Sequence, residues 1–396
     1  TCVFCKNNSP SAQEQADYGM DDLVSGNTEF ALNLYPLLCE KDKNLIFSPY
    51  NIYSALAMGV VGAKNETAQE MTNALRFPYP SLPIHNKFKE LTEDLTNRTS
   101  KGFKLNIVNS IWGQESHSFL KEYTDFMSEN YNSEIRQLDF INSPKKSTDI
   151  INNWVSEKTE DNINSIVPSG AITPDTKLIQ ANAIYFESKW KNKFLMDYTK
   201  DDNFYLLDGE TVPVPMMRRT SNYAYTEGID YQAVELDYTV DMSMVIVLPR
   251  EGSFETFERS LNSDIINEIL EGLVGEYMRL RVPRFKYQAE SVRLKEILIG
   301  MGIKKAFTLD ADFSGIDGAR SMYISDILHK ASIEVNEEGT VASAATVIIS
   351  VTGRPSDDPI NFTVNRPFLF FIRDKTSGVI LFMGRILNPI GEKILD

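Results

Sequence analysis

The sequence predicts one α+β domain built around mostly antiparallel sheets. The first third of the chain has apolar residues at helical spacing behind capping residues, whereas the part beyond residue 200 has short β-prone segments bounded by turn residues. No internal repeat, low-complexity linker or break in composition divides the chain. Its 396 residues, 42% of them hydrophobic, are enough to bury a large core.

Helices dominate the first part of the chain. Cap signals and apolar spacing predict helices within residues 26–41, 48–75 (as two helices), 81–100, 118–131 and 147–163. Two strands are predicted between them, within 103–113 and 176–188.

Strands dominate the rest of the chain. Alternating or continuous apolar patterns predict strands within residues 232–238, 242–249, 277–288, 324–336, 360–374 and 377–387. Two further helices interrupt them, near 254–273 and 290–302.

Charge and hydropathy exclude two classes of partner. The formal net charge of −15 opposes binding to nucleic acid. No apolar run approaches the roughly 20 residues that a membrane span requires. Met217, Arg218 and Arg219 form the most basic patch, where we predict a solvated turn rather than an anion site.

The N-terminal residues 1–25 are predicted to form a flexible leader, because the first twenty are mainly polar. The stub of a processed export signal, or a lipid-attached cysteine, would explain such a leader. Secretion or anchoring at the cell surface is therefore favoured, with a cytoplasmic location as the alternative. Cys2 and Cys5 form a CxxC pair without a second pair or a nearby histidine, so no metal or other cofactor is predicted. Cys39 is predicted to be a core cysteine.

The residues needed for catalysis are scarce. The chain has three histidines: His85 and His117 are predicted at the surface, and His329 is predicted as a hydrogen-bonded core residue of a strand. No nucleophile elbow, zinc-protease motif, phosphate loop or dinucleotide fingerprint occurs. An enzyme is therefore not predicted.

An unusual segment follows residue 340. Thirteen residues, 341–353, contain no charge, proline or aromatic ring, which is typical of a strand buried on both faces. Residues 353–359 then have the composition of an exposed loop. An uncharged β-prone segment beside a solvated loop is an aggregation hazard, so its presence needs a functional reason.

Five motifs along residues 26–391 resemble those of one known family. They are NLIFSPYNIYSALAMGVVGAKNETAQEM (44–71), ANAIYFESKW (181–190), LHKASIEVNEEGT (328–340), EEGTVASAAT (337–346) and NRPFLFFIRDKTSGVILFMGRILNP (365–389). In sequence and in order, they resemble the serpins.

The resemblance implies the serpin fold: three mostly antiparallel sheets with about nine helices, as a single domain over residues 26–396. It also implies an exposed reactive-centre loop at about 337–360. In this family a protease cleaves the loop, which inserts as a new strand into the large sheet and traps the acylated protease. The chain would then be a suicide inhibitor of serine proteases and not an enzyme.

Insertion explains the unusual composition. The hinge, where insertion begins, consists of Glu337, Glu338, Gly339, Thr340, Val341, Ala342, Ser343, Ala344, Ala345 and Thr346. Its residues from Gly339 onward are small or β-branched and uncharged, because a charge or a proline would block a strand from entering a sheet interior.

The resemblance places two further groups of residues beneath and above the point where the sheet opens. A polar cluster under the opening consists of Ser48, Asn51, Asn182 and His329, where a neutral His329 would hydrogen-bond across two strands. The family usually has serine at the position of Asn51. An insertion site at the top of the sheet consists of Trp190, Arg284 and Glu337.

The reactive bond is predicted at Gly353–Arg354 by counting forward from the hinge. Thr352–Gly353 and Arg354–Pro355 remain alternatives, and counting back from Pro367 would give Ser356–Asp357. Small residues before the bond favour an elastase-like or subtilisin-like serine protease, and a papain-like cysteine protease is a minor alternative. Pro355 disfavours cleavage after Arg354 by trypsin-like enzymes.

Alternative functions follow from the same residues. A non-inhibitory serpin with a carrier, chaperone or storage role is the main one, and the small hinge disfavours it. A hydrolase using Cys39 or His329 is the other, without evident partner groups. Four lysines, Lys87, Lys89, Lys101 and Lys104, are interrupted by Glu90, Glu93 and Asp94, so no strong polyanion dependence is expected. The protein is predicted to be a monomer that forms loop–sheet polymers under destabilising conditions.

Overall fold

The structure, a computed structural model, describes residues 19–77, 82–98, 102–340 and 358–391. Its helices are α1 (Met20–Leu38), α2 (Pro49–Gly62), α3 (Asn65–Leu75), α4 (Leu82–Asn97), α5 (Lys121–Tyr131), α6 (Pro144–Lys158), α7 (Phe254–Ser260), α8 (Ser263–Gly272), α9 (Lys295–Gly300) and α10 (Ser314–Asp317). Its strands are β1 (Leu45–Phe47), β2 (Lys104–Gln114), β3 (Glu134–Leu138), β4 (Leu178–Lys189), β5 (Lys200–Tyr205), β6 (Thr211–Glu227), β7 (Tyr231–Asp237), β8 (Met242–Pro249), β9 (Val274–Pro283), β10 (Phe285–Gln288), β11 (Val292–Arg293), β12 (Ile324–Val335), β13 (Gly339–Thr340), β14 (Ile360–Thr363), β15 (Phe368–Asp374) and β16 (Ile380–Ile386).

These strands form two hydrogen-bonded sheets within the described ranges. One has the order β1-β16-β15-β8-β7-β6-β9-β14, with β5 added on β6. The other, which we call the central sheet, has the order β10-β12-β13-β4-β2-β3, with β11 on β12. The α+β class is confirmed.

The number of sheets differs from the three that the resemblance implied. The cause is β6, a strand of 17 residues. Its first residues pair with β5, its last residues pair with β7, and β9 pairs with the stretch from Met216 to Tyr225. A single continuous strand therefore joins what would otherwise be two smaller sheets.

Helix α2 lies in the core between the two sheets. It contacts β4 and β2 on one side and β16 on the other. Every residue from Pro49 to Gly62 except Val61 is buried. Such a helix is apolar all round because it has no face toward water.

Two predictions need correction, the end of the leader and the conformation of the basic patch. The flexible leader does not extend to residue 25, because α1 begins at Met20, where the Gly19 N–H donates to Asp22 at 2.8 Å and Leu23 is fully buried. The basic patch is not a turn either. Met217 to Arg219 lies within β6, paired with β9.

His85 is also not at the surface. It is 6% exposed, and its Nδ1 lies 2.5 Å from the Tyr131 hydroxyl. Two rings of α5 cover the imidazole, those of Phe126 and Tyr131, with centroids 5.5 and 5.9 Å away. The polar sequence around His85 does not indicate this contact.

No described helix combines the length and apolar character that crossing a bilayer requires. Cys2 and Cys5 lie outside the described residues, and the prediction of export, which rests on the same region, stays a prediction.

Candidate functional site

The central sheet is closed at one end and open at the other. β12 and β4 pair directly, in parallel, from Ile324 to Ala331 opposite Leu178 to Ile184. Beyond this stretch β13 lies between them and is antiparallel to both, with Thr340 opposite Val335 on β12 and Ser188 on β4. The start of the hinge therefore already occupies the first step of a strand position between β12 and β4.

The backbone of β4 lies so close to the hinge that residue 339 has to be glycine. A Cβ atom there would lie 2.1 Å from the Ser188 carbonyl oxygen and 2.7 Å from Lys189 Cα. Both contacts are with backbone, which cannot move aside as a flexible side chain can. Only glycine fits where the hinge passes β4.

Thr340 is held by an aromatic support. The residue is 1% exposed, and its hydroxyl lies 2.7 Å from that of Tyr238. The Trp190 ring stacks on Tyr238 with centroids 4.5 Å apart, and its indole N–H donates to the Asn336 carbonyl at 2.9 Å. Trp190 thus anchors the turn just before the hinge and, through Tyr238, contacts the residue that has entered the sheet.

The insertion-site residues Trp190, Arg284 and Glu337 come together, as the resemblance placed them. The carboxylate of Glu337 is 3% exposed and accepts hydrogen bonds from Arg284 and, at 2.6 Å, from Thr199. Burial raises the pKa of Glu337, but these hydrogen bonds outweigh it and bring the pKa below its ordinary value. Glu338 pairs with Lys193 at 2.5 Å. Both acids of the hinge are therefore anchored by a cationic side chain.

The polar cluster lies in the closed part of the sheet. His329 on β12 is directly opposite Asn182 on β4. The Nε2 atom of His329 accepts from the Ser48 backbone N–H at 3.0 Å, and the Ser48 hydroxyl caps α2 by accepting from the Asn51 N–H at 3.2 Å. The side chain of Asn182 donates instead to Asn109 on β2 at 2.7 Å.

His329 makes contacts in two directions. Its ring hydrogen-bonds to the backbone of Asn182 on β4 and accepts from the Ser48 N–H, so it ties β12 both to β4 and to the start of α2. The side chain of Asn182 ties β4 to β2. Both amide atoms of Asn51 and the Oδ1 of Asn182 are buried without a hydrogen-bond partner among the described residues. These polar atoms lie beside the direct β12–β4 pairing, which a strand inserted there would separate.

His329 is neutral at physiological pH. Burial lowers its pKa to about 3, and the backbone of Asn182 opposes part of this effect. Because Nε2 accepts a hydrogen bond from Ser48, the single ring proton must be on Nδ1.

Several supporting residues were not predicted. They are Asn109 and Ser54, which extend the polar cluster (3.4 Å apart), and Tyr238, Thr199 and Lys193, which support the hinge. Each makes its contact with a residue far away in sequence, so no local spacing signals it. The hinge residues Val341, Ala342, Ser343, Ala344, Ala345 and Thr346, and the reactive-bond residues Thr352, Gly353, Arg354 and Pro355, lie outside the described residues.

The hydrolase alternative receives no support from its two proposed groups. Burial raises the pKa of the Cys39 thiol to about 11, so it is protonated and not nucleophilic at neutral pH. His329 contacts the α2 cap rather than a nucleophile. No cluster of three or more metal-ligating side chains occurs in the described part of the chain.

Comparison with known proteins identifies the family of this chain. The profile of one family, described as "Serpin (serine protease inhibitor)", matches residues 25–389. The chain belongs to the serpin family.

Relatives of this serpin come from distant organisms. An uncharacterized serpin-like protein of Thermococcus kodakarensis is 37% identical over 93% of this chain and 86% of that protein. The leukocyte elastase inhibitor of Bos taurus is 37% identical over 93% of this chain and all (100%) of that protein. Both therefore align with this serpin over nearly its whole length.

Solved serpin structures share the fold. Human thyroxine-binding globulin, complexed with thyroxine, superimposes with a TM-score of 0.86 at 28% identity, covering 94% of this chain and 99% of that one. Uncleaved ovalbumin gives a TM-score of 0.85 at 25% identity, covering 93% and 100%.

Proposed function

We propose that this serpin is a suicide inhibitor of serine proteases. The observation that carries the proposal is the position of the hinge. Thr340 is already paired with both β12 and β4, Gly339 is paired with β4, and the segment that follows Thr340 is uncharged. A cleaved loop needs only to continue along this path.

The proposed chemistry is that of an interrupted hydrolysis. The protease serine attacks the Gly353 carbonyl, an ester forms between the two proteins, and the new amino terminus at Arg354 departs. Residues 341–353 then enter between β12 and β4. Each step replaces a parallel β12–β4 contact by two antiparallel pairings, which gain backbone hydrogen bonds on both sides. The protease, still esterified, is carried along the sheet and its active site is distorted before deacylation.

The proposed target is an elastase-like or subtilisin-like protease. Gly353 offers no side chain to a specificity pocket, so an enzyme with a shallow or permissive pocket suits it. The similarity to a leukocyte elastase inhibitor supports this choice. A papain-like cysteine protease is the minor alternative, for a cut after Thr352.

The test is incubation with pancreatic elastase, subtilisin, trypsin and papain. We expect a 1:1 complex that survives SDS with elastase or subtilisin, together with loss of protease activity. Mass spectrometry of the released C-terminal peptide should show a first residue of Arg354, or Gly353 for the alternative bond. If every enzyme cleaves the loop and remains active, the inhibitory proposal is wrong, and a peptide starting at Pro355 would restore a trypsin-like target.

A carrier role is the second candidate, because thyroxine-binding globulin, which shares this fold, was solved in complex with thyroxine. Thyroxine should then raise the unfolding temperature of the intact protein. Ligand binding without any covalent protease complex would favour the carrier function.

A further inference from the structure

A concentration of positive charge lies on the nine-stranded sheet, away from the polar cluster. A cavity of about 390 Å³ is lined by Tyr198, Lys200, Arg218, Arg219, Thr220, Arg279 and Arg281. Five of these seven side chains are cationic. They come from three adjacent strands, β5, β6 and β9.

The strand register places like charges together. Arg218 is directly opposite Arg281, and Arg279 is opposite Thr220, two residues along both strands. Like charges opposite each other destabilise a strand pair unless a negative group lies between them. Among the described residues one carboxylate pairs with them, that of Asp202, which lies 3.0 Å from Arg218 and 3.7 Å from Arg281. The described lining therefore has five positive side chains and one negative partner.

Other basic stretches are compensated more fully. Lys87 and Lys104, in the region where polyanion binding was considered, each have an acidic partner, Glu90 and Glu160, at 2.6 and 2.5 Å. In the cavity, by contrast, the Nε atoms of Arg218 and Arg219 are buried without a hydrogen-bond partner among the described residues. Within the described ranges, the hydrogen-bond partner of the Arg279 side chain is a neutral amide, that of Asn361, at 3.0 Å.

We propose that this cavity binds a compact anion carrying two or more phosphate or sulfate groups. A guanidinium fork matches the oxygens of either group, and unpaired donors in a semi-enclosed cavity bind an anion more strongly than a flat surface does. A single monovalent anion would leave most of the charge uncompensated. The volume suits a pyrophosphate or one sulfated sugar unit rather than a buried macromolecule.

The cavity is connected to the hinge by one short segment. Arg219 donates to the carbonyl of Lys193, and the side chain of Lys193 pairs with Glu338. Thr199, which bonds to Glu337, lies between Tyr198 and Lys200 of the cavity wall. An anion that draws Arg219 and Lys200 into the cavity would therefore shift the segment that carries Lys193 and Thr199. Those two residues hold the hinge acids Glu338 and Glu337.

The first experiment measures binding to the whole protein by calorimetry, with inorganic pyrophosphate as the phosphate probe and a trisulfated heparin disaccharide as the sulfate probe. The Arg218→Gln/Arg281→Gln variant should weaken binding at least about tenfold, since each charge-assisted hydrogen bond carries about that factor. Lys121→Gln/Arg250→Gln removes the same charge elsewhere and should leave binding unchanged. Asp202→Asn should tighten it.

These results separate the outcomes. Tighter binding of pyrophosphate identifies a phosphate ligand, and tighter binding of the disaccharide a sulfated one. The proposed site is wrong if neither probe binds. It is also wrong if the Lys121→Gln/Arg250→Gln control loses as much affinity as the cavity variant. The Asp202→Asn variant keeps every cation of the cavity and is expected to bind the probe more tightly. Misfolding cannot produce tighter binding, so this variant tests the site even if the double variant misfolds.

The second experiment measures the connection to the hinge. Saturating probe should change the fluorescence of Trp190, which packs against the hinge support, in a variant whose other tryptophans, Trp112 and Trp154, are replaced by phenylalanine. Binding without a change in fluorescence would overturn the connection. Neither experiment uses a protease, so neither depends on the proposed inhibitory activity.

Discussion

Asn51 is the least satisfied polar side chain of the polar cluster. It is fully buried, yet neither its amide nitrogen nor its oxygen has a hydrogen-bond partner among the described residues. Each unpaired buried group costs about 1–3 kcal/mol relative to a paired one. The family usually has the smaller serine here, so this amide adds strain at the seam between β12 and β4.

Asn51→Ser should therefore stabilise the native form by about 1 kcal/mol, since it removes an unpaired amide at the expense of a small cavity. Denaturant unfolding measures the change. The matched control is Asn27→Ser: Asn27 is equally buried, but it donates to the Ile380 carbonyl at 3.0 Å, so this change should destabilise. Destabilisation by Asn51→Ser would show that the amide is paired in solution.

His329 gives the closed sheet a dependence on pH. Its pKa is about 3 in the folded protein, against an ordinary value near 6.5, so the opened or unfolded chain binds the proton first. Its contribution to stability is complete above pH 6.5 and is lost as pH falls toward 3. We expect polymers to form several-fold faster at about pH 5 than at about pH 7.5.

His329→Gln should remove most of this pH dependence of polymerisation, measured by native gel electrophoresis after mild heating. The control is His85→Gln. Burial lowers the pKa of His85 to about 3 as well, but this residue contacts Tyr131 rather than the central sheet. If both variants polymerise with the same pH profile, the effect belongs to global unfolding and not to sheet opening.

At the scale of elements, the sequence predicted those that have a strong local pattern. α2, β4 and β12 are all where their apolar spacing placed them, because each is long and its burial is uniform. β6 was missed because Arg218 and Arg219, near the middle of this strand, suggested a turn, and β3 was missed because it is short. The contacts of Tyr238 and Thr199 depend on distant elements meeting, which one sequence cannot show.

The element that the proposed mechanism extends is β13. Thr340→Arg places a long cation where the side chain is 1% exposed and bonded to Tyr238, so it should expel the hinge from between β12 and β4. The variant should be cleaved by the target protease as a substrate, with little covalent complex. Thr340→Ser keeps the hydroxyl and should inhibit normally. An unchanged ratio of complex to cleaved product in the arginine variant would refute insertion through this position.

For the whole molecule, cleavage of the loop should raise stability without any change in composition. In the intact protein β12 and β4 pair directly, in parallel, over the stretch from Ile324 to Ala331. Insertion of about a dozen residues would add antiparallel pairing on both sides, at roughly 0.5–1.5 kcal/mol for each hydrogen bond. The unfolded chain is almost the same in both forms, so the gain is a gain of the folded state.

Scanning calorimetry before and after limited proteolysis should show an upward shift in Tm of more than about 10 °C. The same cut in Thr340→Arg should produce no comparable shift, because its hinge cannot enter the sheet. That control separates insertion from simple relief of loop strain, because strain relief would raise the Tm of the wild-type protein and of the Thr340→Arg variant by the same amount. A cleaved wild-type protein that melts no higher than the intact one would mean that the sheet does not accept the loop, and a non-inhibitory serpin would then account better for the open position beside Thr340.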